Sequence, residues 1–251
     1  MTIPLGRELD GKVVLVTGGA RNIGRAIALA LAEAGAAVVI NAKGARAEAE
    51  AVAGEVKRLG VPALVHLADV TDPEAVAGMF RVCRARLGRL DVLVNNAALR
   101  RQTPLARITP REWRDVLSVA VDGTFLCSQA AAPLLAEAGG GAIVNLGGLT
   151  AHTGAAGRAH AVTAKAAVIG LTKALAVELA SEGTTVNCVV PGTIDTVRGA
   201  TAGAMPETPR NLLGRLGRPD EIAAMVRLLA GPAGRYVTGQ TIHVSGGAYL
   251  P

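Results

Sequence analysis

The sequence predicts an α/β fold, one domain built on a doubly wound parallel sheet of about seven strands. Three observations predict it. Short apolar runs recur along the 251 residues, with helix-period segments between most of them. The runs are continuous Val, Ile and Leu rather than alternating, as strands buried on both faces are. The first run passes through a glycine-bearing turn into an alanine-rich helix, the setting in which such a turn cradles a phosphate.

The elements follow in order. Val13–Val16 is the first strand, Thr17 to Gly24 the turn, and 23–34 the first helix, ending at Gly35. Further strands are expected at Ala37–Ile40, Ala63–Leu67, Val92–Val94, Ile143–Leu146, Val186–Val190 and Thr241–Val244. Helices are expected at 45–58, 73–87, 110–137, 160–181 and 219–230. Without internal repeats or a low-complexity linker, residues 1–251 read as a single dinucleotide-binding domain. The stretch 197–218, rich in Gly, Thr, Pro and Arg, reads either as a flexible flap beside a site or as an ordinary surface loop.

Half the residues are hydrophobic but only 2% are aromatic, so the core is built from Ala, Val, Leu and Ile. A net charge of +6 raises the question of nucleic acid. The arginines are scattered, with no long run and no interleaved aromatics, so no nucleic-acid partner is expected and an anionic cofactor accounts for the charge. Cys83, Cys127 and Cys188 have no metal spacing and read as buried thiols of a reducing compartment, so no metal is expected. The N-terminal MTIPLGRELDG lacks a signal pattern and no apolar run reaches spanning length, so the expectation is a cytoplasmic protein with no membrane partner.

In an open α/β sheet, ligands bind beyond the C-terminal ends of the strands. Those ends carry Thr17-Gly18, Asn41-Ala42-Lys43, Asp69-Val70-Thr71, Asn95-Asn96-Ala97-Ala98, Gly147-Gly148-Leu149-Thr150 and Pro191-Gly192-Thr193-Ile194-Asp195-Thr196.

Thr17-Gly18-x-x-x-x-Ile23-Gly24, Asp69, Asn95-Asn96-Ala97, Lys165 and Pro191-Gly192-x-x-x-Thr196 together resemble the classical short-chain dehydrogenase/reductase family, a Rossmann-type fold. Gly214 to Pro219 and Val237-Thr238-Gly239-Gln240 resemble its 3-oxoacyl-(acyl-carrier-protein) reductase-like branch. The family usually carries glycine where this chain has Asn22, and asparagine tolerates left-handed backbone better than most residues. The resemblance implies that Gly18, Asn22, Ile23 and Gly24 line a pyrophosphate. It places Asp69 and Val70 at the adenine, Asn96 and Ala97 at the adenine ribose, and Pro191, Gly192, Ile194 and Thr196 toward the nicotinamide. Asn95 reads as a structural hydrogen-bonding residue.

A 2′-hydroxyl is usually held by an acid just after the second strand. Asn41-Ala42-Lys43-Gly44 has none, and Arg21 and Lys43 offer positive charge suited to a 2′-phosphate. NADP(H) is therefore favoured over NAD(H).

The family's carbonyl chemistry uses a tyrosine, a lysine four residues later, a serine after the fifth strand and an asparagine in the preceding long helix. Lys165 matches the lysine, but Ala161, Gly148 and Ala120 stand at the other positions. The chain's two tyrosines, Tyr236 and Tyr249, cannot hold the i, i+4 relation to Lys165. His152, after Gly148, and His160, beside Ala161, are alternative proton donors. The bland reading of either is a helix-start brace.

Three functions stay open: an NADP(H)-dependent oxidoreductase of a small-molecule carbonyl or imine with an atypical active site, a catalytically weak cofactor-binding or regulatory homologue, and a non-redox enzyme on the same fold. The resemblance also implies a homotetramer through 110–137, 160–181 and 240–245.

Overall fold

The computed structural model describes residues 6–197, 199, 201, 203 and 211–251. β1 (Val13–Val16) is wholly buried and is an interior strand, third of the seven across the sheet. β2 (Ala37–Ala42) and β3 (Ala63–Leu67) extend to one side of it; β4 (Val92–Asn95), β5 (Ala142–Leu146), β6 (Thr185–Pro191) and β7 (Thr241–Val244) extend to the other. All seven strands are parallel, in the order β3-β2-β1-β4-β5-β6-β7. The register pairs Val14 with Val38 on one side and Val92 on the other. Parallel strands need long crossovers, and the helices supply them.

Strand side chains alternate between two cores. Val14, Val16, Val38 and Ile40 pack with Ile27 and Leu31 of α1 (Asn22–Glu33), Val52 and Val56 of α2 (Arg46–Arg58) and Val226 and Leu229 of α8 (Pro219–Ala230). Leu15, Val39, Leu93 and Ile143 pack on the opposite face. There they meet Met79 and Phe80 of α3 (Pro73–Leu87), Cys127 and Leu135 of α5 (Gly123–Glu137) and Ala176 of α7 (Ala159–Glu178). The result is a three-layer sandwich. The edge strands β3 and β7 are only half-buried, which softens the expectation of strands covered on both faces.

Helix ends follow local chemistry. Asp72 caps α3 by accepting from the N–H groups of Glu74 and Ala75, Pro73 takes the first helical position, and Gly88 closes the helix at φ +80°. Thr109 caps α4 (Pro110–Leu117) by accepting from Glu112 N–H. The expected helix over 110–137 is α4 and α5 joined through a π-helical stretch, Ser118–Asp122. The expected helix over 160–181 ends at Glu178 and continues as a 3₁₀ turn, Ala180–Glu182, because Gly183 takes left-handed backbone. A short helix, α6 (Thr150–Thr153), follows β5; it is too short to leave a periodic sequence signal.

Two helices bear on the membrane expectation without overturning it. Pro110–Glu137 and Ala159–Glu178 are long and apolar enough, by length and composition, to cross a membrane. Polar residues interrupt both segments, so neither contains an uninterrupted apolar run of that length. In the fold each helix lays part of its surface on the sheet, through Cys127 and Leu135 or through Val168 and Ala176. The three cysteines are free and buried as expected. Burial pushes the Cys127 thiol up to about 12 and the Cys83 thiol up to about 11, so neither is a thiolate.

Candidate functional site

The order reversal between β2 and β4 around β1 opens a crevice at the strands' C-terminal ends. The turn after β1 lies there and is locked from two sides. Thr17 is buried, and its Oγ1 accepts from the N–H groups of Asn96 (2.9 Å) and Ala97 (3.1 Å). Asn96 Nδ2 donates to the carbonyls of Thr17 (2.9 Å) and Gly18 (3.0 Å). Asn41 braces the turn from β2: its Oδ1 accepts from Gly18 N–H, and its Nδ2 donates to the carbonyls of His66 and Ala68.

Close approach dictates the glycines. Gly18 has φ +61°. A Cβ on Gly24 would lie 2.2 Å from the Gly18 carbonyl oxygen and 2.6 Å from Asn96 Nδ2. Asn22 is the one non-glycine residue with left-handed backbone among the described residues, φ +52°. Unlike α3 and α4, α1 has no side-chain cap and no acid in its first turn. Its leading N–H groups are thus left for another acceptor, and the dipole there favours an anion. Arg21 precedes them, exposed, its side chain without a hydrogen bond or ion pair among the described residues.

Asp69 and Val70 follow β3 and are fixed by their neighbours. Val70 is buried against Gly123, where a Cβ would come within 2.7 Å of Val70 Cγ2. Asp69 accepts from Thr71 N–H and Oγ1–H and pairs with Lys43 Nζ at 2.6 Å. Burial raises the Asp69 pKa, but Lys43 and Thr71 outweigh it and the carboxyl lies below its usual range. Lys43 is therefore already partnered, whereas Arg21 is not.

At the other end, Gly192 packs β6 against β7: an added Cβ would lie 2.7 Å from Ser245 Cα. Ile194 is buried and bridges to Gly217. Thr196 Oγ1 accepts from Arg100 Nη1 at 3.4 Å and donates to Ile194 O.

Lys165 stands on α7, half-buried, its ammonium donating to the Leu146 carbonyl at 2.5 Å. Burial lowers its pKa and the nearby Cys188 raises it; Arg100 lowers it further, leaving it at about 8. Gly148 faces the lysine stem: an added Cβ would sit 3.1 Å from Lys165 Cγ. Ala161 lies one helical turn before Lys165, and Ala120 packs with Ala161 and Ala164 inside the π-helical stretch. Behind them a buried chain fixes the strand ends. Asn95 donates to Asn145 and to Ser128, Asn145 donates to Thr172, and Thr172 donates to the Val168 carbonyl. This is the structural part the sequence suggested for Asn95.

The two histidines part company. His160 is fully buried at the start of α7. Its Nδ1 accepts from Ala161 N–H at 2.8 Å and its Nε2 meets Glu112 Oε1 at 3.2 Å, so both ring nitrogens are engaged. His152 on α6 packs its ring 4.4 Å from that of His243 and 5.1 Å from that of Tyr249, with its Nε2 enclosed and unpaired among the described residues. Tyr249 thus meets His152 within one chain. The sequence reading missed His243 as its neighbour and Arg100 beside Lys165. The signal for Arg100 was the basic pair Arg100-Arg101 directly after the Asn95-Asn96-Ala97-Ala98 strand end.

A family model described as enoyl-(acyl carrier protein) reductase matches residues 18–249. The 3-oxoacyl-(acyl-carrier-protein) reductase FabG of Staphylococcus aureus is 43% identical over 244 residues, covering 95% of this chain and 98% of the relative. The 3-oxoacyl-(acyl-carrier-protein) reductase of a Synechocystis species is 40% identical over 243 residues, covering 96% and 98%. Among solved structures, a short-chain dehydrogenase from Burkholderia cenocepacia, in complex with NADP, superposes with a TM-score of 0.89 at 39% identity, covering 96% of this chain and 99% of that one.

Proposed function

The chain belongs to the classical short-chain dehydrogenase/reductase family, in its 3-oxoacyl-(acyl-carrier-protein) reductase-like branch, and from that premise we propose an NADP(H)-dependent oxidoreductase that works without the family's serine, tyrosine and asparagine. One contrast carries the reading. The turn that holds the cofactor is complete and locked, while Lys165 is left on a wall of Gly148, Ala161 and Ala120.

The residues fit a dinucleotide. The uncapped α1 N-terminus would take the diphosphate, Arg21 the 2′-phosphate, Asp69 and Val70 the adenine side, and Ile194 and Thr196 the nicotinamide side. When bound, the nicotinamide supplies or accepts a hydride. The chain's own contribution is orientation and charge. Lys165 places a cation where negative charge develops on a carbonyl oxygen, and at about 8 it can also surrender a proton near neutral pH. Arg100 adds to the positive field. His152 is the second candidate for a proton-handling role, since its Nε2 has no partner among the described residues; His160 has its nitrogens committed to Glu112 and the backbone. A carbonyl already activated, or an imine, suits such a site better than a plain ketone.

A second reading has its own support. No side chain at 120, 148 or 161 can donate a proton, as expected of a cofactor-binding or regulatory homologue. Fluorescence titration with NADPH and NADH, followed by assays on generic ketones and 3-oxoacyl thioesters, separates the readings. Tight NADPH binding with very weak turnover is expected; brisk turnover of plain ketones overturns the assignment of the site. A homotetramer is proposed through the outward faces of 110–137 and 159–178 and through β7, with mass photometry as its check.

A further inference from the structure

We propose that Asn22 is a positioning residue that straps the loop after β6 across the diphosphate site and so governs release of the cofactor; this rests on the NADP(H) reading above. The backbone at 22 is left-handed, φ +52°, a conformation that glycine fills without strain. The conformation therefore does not call for an asparagine, and the side chain has another task. Its Nδ2 donates to the Val197 carbonyl at 3.0 Å, and Val197 N–H donates back to its Oδ1 at 3.1 Å.

The pair is a reciprocal amide-to-backbone clasp between residues 175 positions apart. Val197 directly follows Thr196, on the nicotinamide side, while Asn22 opens α1, on the diphosphate side. The clasp therefore joins the two walls of one cleft. Packing does not hold Val197 down, since its residue is 85% exposed. Besides its backbone bonds to Gly217, the loop is tied to the strand end after β4: Arg100 Nη1 to Thr196 Oγ1, Thr201 Oγ1 to Arg100 O, and Gln102 N–H to Thr201 O. Asn22 is its one tie to the phosphate turn among the described residues. A dinucleotide lying along the cleft passes beneath this strap. Two exposed hydrogen bonds open readily, so the strap slows exchange rather than blocking it.

The test is NADPH release, followed by stopped-flow displacement. Asn22→Gly keeps the left-handed turn and removes the clasp; release about fivefold faster is expected, the scale of one modest hydrogen-bond contribution. Val197→Pro removes one of the two clasp bonds, the N–H donor at the far end, without touching the turn, and should accelerate release in the same direction, up to the Asn22→Gly rate. The double variant should be no faster than Asn22→Gly alone. Unchanged release in Asn22→Gly overturns the strap. So does acceleration in Asn22→Gly alone, or additive effects, because Asn22 would then act on the cofactor directly. If the parent protein binds no NADPH, the cofactor reading fails instead. Trypsin cleavage within 197–218 of the free protein then decides: faster cutting in Asn22→Gly supports the strap, and equal cutting overturns it.

Discussion

The turn after β1 and the wall formed by β5 and α7 face each other across one crevice, and both are rich in small residues for different reasons. In the turn, geometry leaves no choice. Gly24 has the Gly18 carbonyl 2.2 Å from where a Cβ would go, and Gly18 itself has φ +61°. In the wall, Gly148 has no left-handed backbone, and an added Cβ would meet only the flexible stem of Lys165, at 3.1 Å. The first set of small residues is required by the fold. At 148 the small residue is a choice of chemistry, because a larger side chain would fit there with a few tenths of an ångström of adjustment. The contrast teaches that the turn is under structural constraint at Gly18 and Gly24, whereas position 148 facing Lys165 is not.

The largest effect should come from breaking the constrained half. Gly24→Ala drives a methyl into a backbone carbonyl and the Asn96 amide, neither of which can withdraw without opening the turn. NADPH binding should fall by more than about a hundredfold, while circular dichroism keeps its α/β signature; a single lost lock of this kind costs on the order of 3 kcal/mol. Binding within threefold of the parent protein would show that the turn can open around an added methyl.

Next comes the reverse experiment, refilling the unconstrained half. In Ala161→Tyr with Gly148→Ser, position 148 needs only the Lys165 stem to yield, and circular dichroism checks that the tyrosine at 161 is accommodated against Val116, Ala120 and Ala164. If the missing donors are what limits plain ketones, their reduction should rise by about a hundredfold, the usual reach of a positioned general acid. No gain would mean that the pocket wall, and not the missing donors, excludes such substrates.

Why was one half so legible in the sequence? Strand positions, the parallel sheet and the turn rest on local composition and short spacing, and a strictly buried Val/Ile/Leu strand advertises itself. Lys165, Gly148 and Ala161 were legible because they stand at fixed offsets from such strands. What the sequence could not give were meetings between distant segments: Asn22 with Val197, Lys43 with Asp69, His152 with His243 and Tyr249, and Asn96 back onto Thr17 and Gly18. Asn96 is the clearest case: its Nδ2 holds the carbonyls of Thr17 and Gly18, a brace that no local spacing announces. The π-helical stretch at Ser118–Asp122 was equally hidden, since a one-residue widening of a helix leaves no periodic trace over so short a span.

A third effect follows from Lys165. Burial holds its pKa at about 8, against an ordinary value of 10.5. Between those values the unfolded chain binds the proton and the folded one does not, so this group's contribution to stability rises with pH through that window and is least favourable below about 8. In the reductive direction the protonated lysine is the competent form. kcat/KM should be flat below pH 8 and fall about tenfold per unit above it, reporting the free protein's ionisation. Lys165→Met should abolish the inflection; a profile flat to pH 10 in the parent protein would remove Lys165 from proton transfer.

The smallest effects separate the two cations on the cofactor side, and here the structure sharpens what composition left equal. Arg21 is exposed and without a partner among the described residues, so its whole charge is available to a 2′-phosphate. Lys43 is bound to Asp69 at 2.6 Å, and any gain from a phosphate is offset by the ion pair it must share or surrender. Arg21→Ala should cut the NADPH-over-NADH preference by about tenfold, the scale of a charge-assisted pair. Lys43→Ala should cut it by about twofold, and by less in high salt, since an exposed charge contributes little through a screened solvent. The reverse order would place the 2′-phosphate at Lys43, with the Asp69 pair broken on binding, and would move the recognition of the cofactor from the turn to the end of β2.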